Sequence, residues 1–167
     1  AGSNYNTISN NDIRSNSGGG ITISSSHNNI SNNIFSSNSG IGVNMLSGTN
    51  NSISNNNISL NSENGIKAGS SGNRFSNNTL TNNADNGIYI QIDDNTFSNN
   101  TITMGAGAGY GLYIDFGQYD NYIYQNNTVN GEKIYYYFNS NIAQTVTVEP
   151  LTVSKVSNIG KISLIKS

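Results

Sequence analysis

A six-residue phrase returns along this chain at a nearly fixed interval, and that interval restricts its possible folds more than any other feature. The clearest copies are Phe75-Ser76-Asn77-Asn78-Thr79-Leu80 and Phe97-Ser98-Asn99-Asn100-Thr101-Ile102. The phrase also runs from Ile8 to Ile13, Ile30 to Phe35 and Ile53 to Ile58, with a blurred copy from Tyr124 to Val129. The leading apolar residues Ile8, Ile30, Ile53, Phe75, Phe97 and Tyr124 are separated by 22, 23, 22, 22 and 27 residues. A period in this range is the signature of a solenoid.

A second landmark follows each phrase: Gly20-Ile21-Thr22-Ile23, Gly40-Ile41-Gly42-Val43, Gly65-Ile66-Lys67-Ala68, Gly87-Ile88-Tyr89-Ile90 and Gly111-Leu112-Tyr113-Ile114. Each reads as a short strand after a turn glycine. The first landmark is expected to supply a second strand, and the segment running into the next unit a third. Three short strands in about 22 residues make one coil of a parallel β-helix. Helical repeats need longer units and 3.6-residue periodicity, and Ala, Leu, Glu and Lys are too scarce here to favour helices. A period above that of three hexapeptides favours a right-handed, L-shaped coil over a left-handed triangle. The expected class is therefore all-β: a right-handed parallel β-helix of about six coils over residues 1–141, followed by a strand-rich tail over 142–167.

Stacking places equivalent side chains in columns. The apolar column is expected to contain Ile21, Ile41, Ile66, Ile88, Leu112 and Ile134. Asparagines should form two adjacent columns, Asn10, Asn32, Asn55, Asn77, Asn99 and Asn126 beside Asn11, Asn33, Asn56, Asn78, Asn100 and Asn127. A third contains Asn28, Asn50, Asn73, Asn95 and Asn121. Asparagine tolerates the left-handed backbone of a turn, and its amide can both donate and accept along a stack of strands about 4.8 Å apart.

The chain is only 34% hydrophobic and 10% charged, which without the repeat would suggest disorder. A net charge of −2 implies no attraction to nucleic acid. The absence of cysteine excludes thiol chemistry, disulfides and thiolate metal sites, and no apolar run approaches membrane-spanning length. Low charge with abundant Asn, Ser, Thr and Gly, and a start at Ala1 in place of Met, read as a processed, exported surface protein. Glycosylation sequons begin at Asn29, Asn50, Asn57, Asn77, Asn99 and Asn126. Burial in the asparagine columns would withhold most of them from a glycan.

Irregularities fall at definite places. Met45 to Thr49 reads as a short outward loop. Met104 to Tyr110 and Phe116 to Asp120 read as insertions in the fifth coil, and the glycine-rich one is no phosphate loop because no helix follows it. Solenoids normally carry terminal caps, and the first coil begins at once without one. In the tail, Val146, Val148, Leu151, Val153, Ile162 and Leu164 alternate as strands about Pro150, with Lys155, Lys161 and Lys166 against Glu149 alone. The body instead pairs four basic residues with eight acids. Such a tail could cap its own helix or extend onto a neighbour.

The six ISNNxI-like phrases, the GIxI phrases and the closing Asn130-Gly131-Glu132-Lys133-Ile134-Tyr135-Tyr136-Tyr137 segment resemble the NosD-like, CASH-type right-handed β-helix repeats of methanogen surface proteins. The resemblance covers about residues 5–141. It implies an exported archaeal protein of a cell surface, surface layer or sheath, in a repeat class shared with carbohydrate-binding proteins and sugar hydrolases.

Enzymes of that class use clustered acids, sometimes with calcium. Asp93, Asp94, Asp115 and Asp120 fall in neighbouring coils and are the candidate calcium ligands, since calcium takes six to eight oxygens. They lack the density of a polygalacturonase-like acid set, and no basic residue joins them, so no enzyme and no other cofactor is expected. His27, the only histidine, reads as a corner residue and not as a ligand. Nine of the ten tyrosines lie at or beyond Tyr89. Tyr89, Tyr113 and Tyr135 alternate with inward apolar residues and are expected to form an outward stripe. Such aromatic rows stack on sugar rings and also occur at subunit interfaces, although cross-strand packing alone would produce them too. The functional expectation is a secreted structural protein that assembles through its ends and tail into a filament, sheath or surface layer, as a homo-oligomer or polymer. The alternative is a carbohydrate-binding or polysaccharide-processing module with cell-surface glycans as partners.

Overall fold

The computed structural model describes residues 3–115, 120–134 and 136. The first coil holds β1 (Thr7–Ser9), β2 (Asp12–Arg14) and β3 (Ile21–Ser24), and the second β4 (Asn29–Ser31), β5 (Ile34–Ser36) and β6 (Val43–Ser47). The third holds β7 (Ser52–Ser54), β8 (Asn57–Ser59) and β9 (Ile66–Ala68). The fourth holds β10 (Arg74–Ser76), β11 (Thr79–Thr81) and β12 (Ile88–Ile90), and the fifth β13 (Thr96–Ser98), β14 (Thr101–Thr103) and β15 (Leu112–Ile114). A partial sixth coil follows with β16 (Tyr122–Ile123), β17 (Thr128–Val129) and β18 (Glu132–Lys133). Equivalent strands pair in parallel into three sheets, as the period requires.

The repeat phrase is a corner. Its leading apolar residue lies in the first sheet and its trailing one in the second, so both of these strands come from one phrase. The segment running into the next unit, expected to be a strand, is a turn. Four apolar columns fill the interior. In the first sheet Ile30, Ile53, Phe75, Phe97 and Ile123 are stacked and buried, with Phe75 and Phe97 parallel at 4.9 Å. Phe35, Ile58, Leu80 and Ile102 do the same in the second. Each such side chain is worth about 1.5–3 kcal/mol of burial.

Three expectations of register change. Val43, not Ile41, stands between Ile21 and Ile66 in the third sheet. The phrase Gly40-Ile41-Gly42-Val43 offers two glycine–apolar steps, and Gly42 is the one in line with Gly65: its N–H bonds Asn64 and that of Val43 bonds Gly65. A side chain at Gly65 would meet the Gly87 oxygen at 2.7 Å and Leu80 Cδ2 at 2.8 Å. The expected Met45 to Thr49 loop is strand as far as Ser47, with one extra residue: Met45 pairs with Ile23 and Ser47 with Ser24, so Leu46 is extruded as a bulge, 59% exposed. In the last coil Ile123, not Tyr124, continues the Phe97 column, and Tyr124 is 54% exposed.

The sixth coil does not close. Val129 and Glu132 pair antiparallel around Asn130 (φ 51°) and Gly131 (φ 87°). Two successive left-handed residues, Asn then Gly, make the two-residue hairpin turn that matches strand twist. β18 thus folds back along the outer edge of β17, and Ile134, expected in the third-sheet column, bonds Asn127 through its N–H. The boundary at 141/142 and the tail residues Val146, Val148, Leu151, Val153, Ile162 and Leu164 lie outside the described residues.

Candidate functional site

The corners divide two tasks that the sequence assigned to every asparagine. At the corners between the first and second sheets in coils two to five, a left-handed residue comes first and a buried asparagine second. Asn10, Asn32, Asn55, Asn77 and Asn99 have φ between 54° and 58° and are exposed. Asn33, Asn56, Asn78, Asn100 and Asn127, one residue later, are buried and carry the ladder. Asn78 shows the pattern. Its Oδ1 accepts from the backbone N–H and the Nδ2 of Asn56, both at 3.0 Å, while its own Nδ2 donates to Asn100 Oδ1 at 3.0 Å and to the Ile53 carbonyl at 2.9 Å.

The corner before the first sheet follows the same rule and corrects its column. Asn51, not Asn50, links Asn28 to Asn73. Asn50 is the exposed left-handed residue of that corner, in line with His27, Gly72 and Asp94. His27 lies against Tyr5 with ring centroids 4.7 Å apart, consistent with its reading as a corner residue. A further ladder, Asn16, Asn38, Asn61 and Asn83, went unread because its left-handed partners vary as Ser15, Ser37, Leu60 and Asn82.

Against this rigid frame, one outer face differs from the rest. Thr22, Asn44, Lys67, Tyr89 and Tyr113 are in register along the outside of the third sheet. Tyr89 and Tyr113 are half-buried, with centroids 5.3 Å apart and rings tilted by 52°. Tyr110, which the sequence did not single out, lies almost parallel to Tyr113 at 5.6 Å. The glycine-rich segment positions it: a turn at Gly107 (φ 81°) returns the chain so that the Tyr110 N–H bonds Asn86 Oδ1 at 2.9 Å. The insertion therefore delivers an aromatic ring to the tyrosine face, and its placement beside Gly111-Leu112-Tyr113 was the available signal. Tyr135 lies outside the described residues.

Polar groups border the rings. The Tyr89 hydroxyl donates to Asp115 Oδ2 at 2.8 Å and accepts from Gln91 Nε2 at 3.0 Å. Desolvation, and then the hydrogen bond to the Asp115 carboxylate, hold the phenol above its ordinary value near 10. The rings are thus fixed by hydrogen bonds and neighbours, while each remains partly accessible.

The four aspartates do not come together as one site. The Asp93 carboxylate accepts the backbone N–H of Asp120 at 2.9 Å, Asp94 is a left-handed corner residue (φ 61°), and Asp115 is engaged by Tyr89. Among the described residues no group of three or more His, Cys, Asp or Glu is placed to hold a metal ion. No helix among them is long and apolar enough to cross a membrane.

The sequons also differ from expectation. Asn29, Asn50, Asn57, Asn77, Asn99 and Asn126 are all exposed, because the buried ladder position is the residue after Asn50, Asn77, Asn99 and Asn126 and the residue before Asn29 and Asn57. A family model described as a right-handed beta helix region matches residues 1–150. Comparison with curated proteins and with solved structures found no match.

Proposed function

Because this chain belongs to the right-handed β-helix family, we propose that it acts through an outer face of its solenoid, as a non-catalytic, extracellular carbohydrate-binding module. The observation that carries this reading is the cluster of Tyr89, Tyr110 and Tyr113, bordered by Asp115, Gln91 and Lys67. Aromatic rings cover the C–H faces of a sugar, and carboxylate, amide and ammonium groups at their border suit its hydroxyls. Strands hold Lys67, Tyr89 and Tyr113 in place, and hydrogen bonds tie Gln91 and Asp115 to the Tyr89 hydroxyl, which lowers the ordering cost of binding. The composition suits an exported chain, and a cell-surface setting is what the NosD-like resemblance implies.

The test is retardation of the full chain in gels containing individual neutral or acidic polysaccharides, followed by calorimetry with the matching oligosaccharides. Retardation by at least one polysaccharide, lost in Tyr113→Ala and kept in Tyr122→Ala, supports the reading. Equal mobility in every gel, or unchanged binding by Tyr113→Ala with native circular dichroism, refutes it.

A second reading, assembly into a filament, sheath or surface layer, is favoured by the form of the first coil. β1, β2 and β3 each stand at an edge of their sheet, and an open parallel edge is a template for a further strand. At the other end β18 occupies the corresponding edge of the second sheet, and the strand-rich sequence of residues 142–167 is the segment proposed to join subunits. Electron microscopy of the chain with and without those residues separates the readings: ordered polymers that need the tail support assembly.

A further inference from the structure

We infer that Asn77, Asn99 and Asn126 form a row of N-glycan acceptors along one corner of the solenoid, of which neighbouring members are not occupied together. The three are exposed and occupy successive coils. Among the described residues, the side chains of Asn77 and Asn99 take no part in the buried ladder, which runs through Asn78, Asn100 and Asn127. Asn126 uses its Oδ1 to accept the Asn99 N–H at 3.0 Å, whereas a glycan is attached through Nδ2. Modification would therefore spare the bonds that hold the coils together. At Asn78 it would remove them.

The hydroxyl that completes each sequon is also fixed by the stack. Residues two after the corner asparagine open the strands of the second sheet: Asp12, Ile34, Asn57, Thr79, Thr101 and Thr128 in register. Only the last three carry a hydroxyl. Asn10, Asn32 and Asn55 share the exposure and left-handed backbone of Asn77 and Asn99 but lack that hydroxyl, so the chain contains its own controls.

The donor is a lipid-linked oligosaccharide, a polyprenyl phosphate or pyrophosphate ester, used by a transferase of the secretory route. The amide nitrogen attacks C1 of the first sugar. The C1–N bond forms, the C1–O bond to phosphate breaks, the lipid phosphate departs and the amide proton passes to a base of the transferase. Adjacent coils are about 4.8 Å apart, less than a hydrated pyranose needs. Asn77 and Asn126 are two coils apart and can be occupied together, whereas Asn99 excludes both.

The experiment is secretion of the full chain from an N-glycosylating host beside a reporter of known occupancy. Intact mass and site mapping by enzymatic deglycosylation follow. Glycan at Asn77, Asn99 or Asn126, none at Asn10, Asn32 or Asn55, and at most two glycans from the row on one molecule are expected. Thr79→Ala, Thr101→Ala and Thr128→Ala should each abolish occupancy at their own sequon with unchanged circular dichroism. A folded, secreted chain with a fully occupied reporter and none of the three sites modified would overturn the inference, as would molecules glycosylated at all three.

Discussion

Replacing Asn78 by alanine should cost far more than replacing its neighbour Asn77, although the two residues have the same name and adjacent numbers. Asn78 is 1% exposed and makes four side-chain hydrogen bonds, two accepted from Asn56 and two donated, to Asn100 and the Ile53 carbonyl. Each net bond is worth roughly 1 kcal/mol, and a buried N–H left without an acceptor adds about 1–3 kcal/mol. The backbone N–H of Asn56 would be such a group. The Asn56 amide keeps its bond to the Ile30 carbonyl, which limits the loss to about 3–5 kcal/mol. Asn77 is exposed with φ 55°, so its alanine variant loses only the asparagine tolerance for that backbone, about 1 kcal/mol. Position 78 lies in the fourth coil, inside the stack, where loss of a neighbour interface cannot be confined to a fraying end. Urea titrations followed by circular dichroism compare the midpoints at equal slope. Two variants within about 1 kcal/mol of each other would refute the division of labour at the corner.

Leu60 occupies a left-handed corner position (φ 57°) and is 58% exposed, where Asn82 stands one coil on. Leu60→Asn should raise stability by about 0.5–1 kcal/mol, read as a higher urea midpoint. Gly65→Ala would press a methyl group onto the Gly87 carbonyl and Leu80 and should lower stability by about 1–3 kcal/mol in the same assay. The raised Tyr89 pKa has a definite sign. The fold favours the protonated phenol, so its contribution is full below the unfolded tyrosine pKa and is lost as pH rises through the folded one. Urea midpoints of the wild type should therefore fall relative to Tyr89→Phe as pH rises above about 10, and equal pH profiles would contradict the Tyr89–Asp115 bond.

Period, strand number and apolar columns were legible because stacking forces equivalent residues to recur. What was hidden was phase. Gly40-Ile41 and Gly42-Val43 satisfy the same alternation, and only the hydrogen-bonded register chooses between them. Asn50 and Asn51 are identical letters, one turned outward in a left-handed corner and one buried in a ladder. Tyr124 and Ile123 are both plausible column members, and burial selects isoleucine. Asn130-Gly131 was a readable hairpin signal, masked by the expectation that the repeat continues. At the tyrosine face, Tyr89 and Tyr113 followed from alternation. Tyr110 did not, because an inserted segment has no column to place it.

The measurement that bears most directly on the coil stack, and on the tyrosine face built upon it, is a nuclear Overhauser experiment on chain labelled only at phenylalanine and tyrosine. With Phe75 and Phe97 centroids 4.9 Å apart inside and those of Tyr89 and Tyr113 5.3 Å apart outside, ring cross-peaks should join both pairs. If both pairs of cross-peaks were missing from a well-dispersed spectrum, the superposition of successive coils would be contradicted.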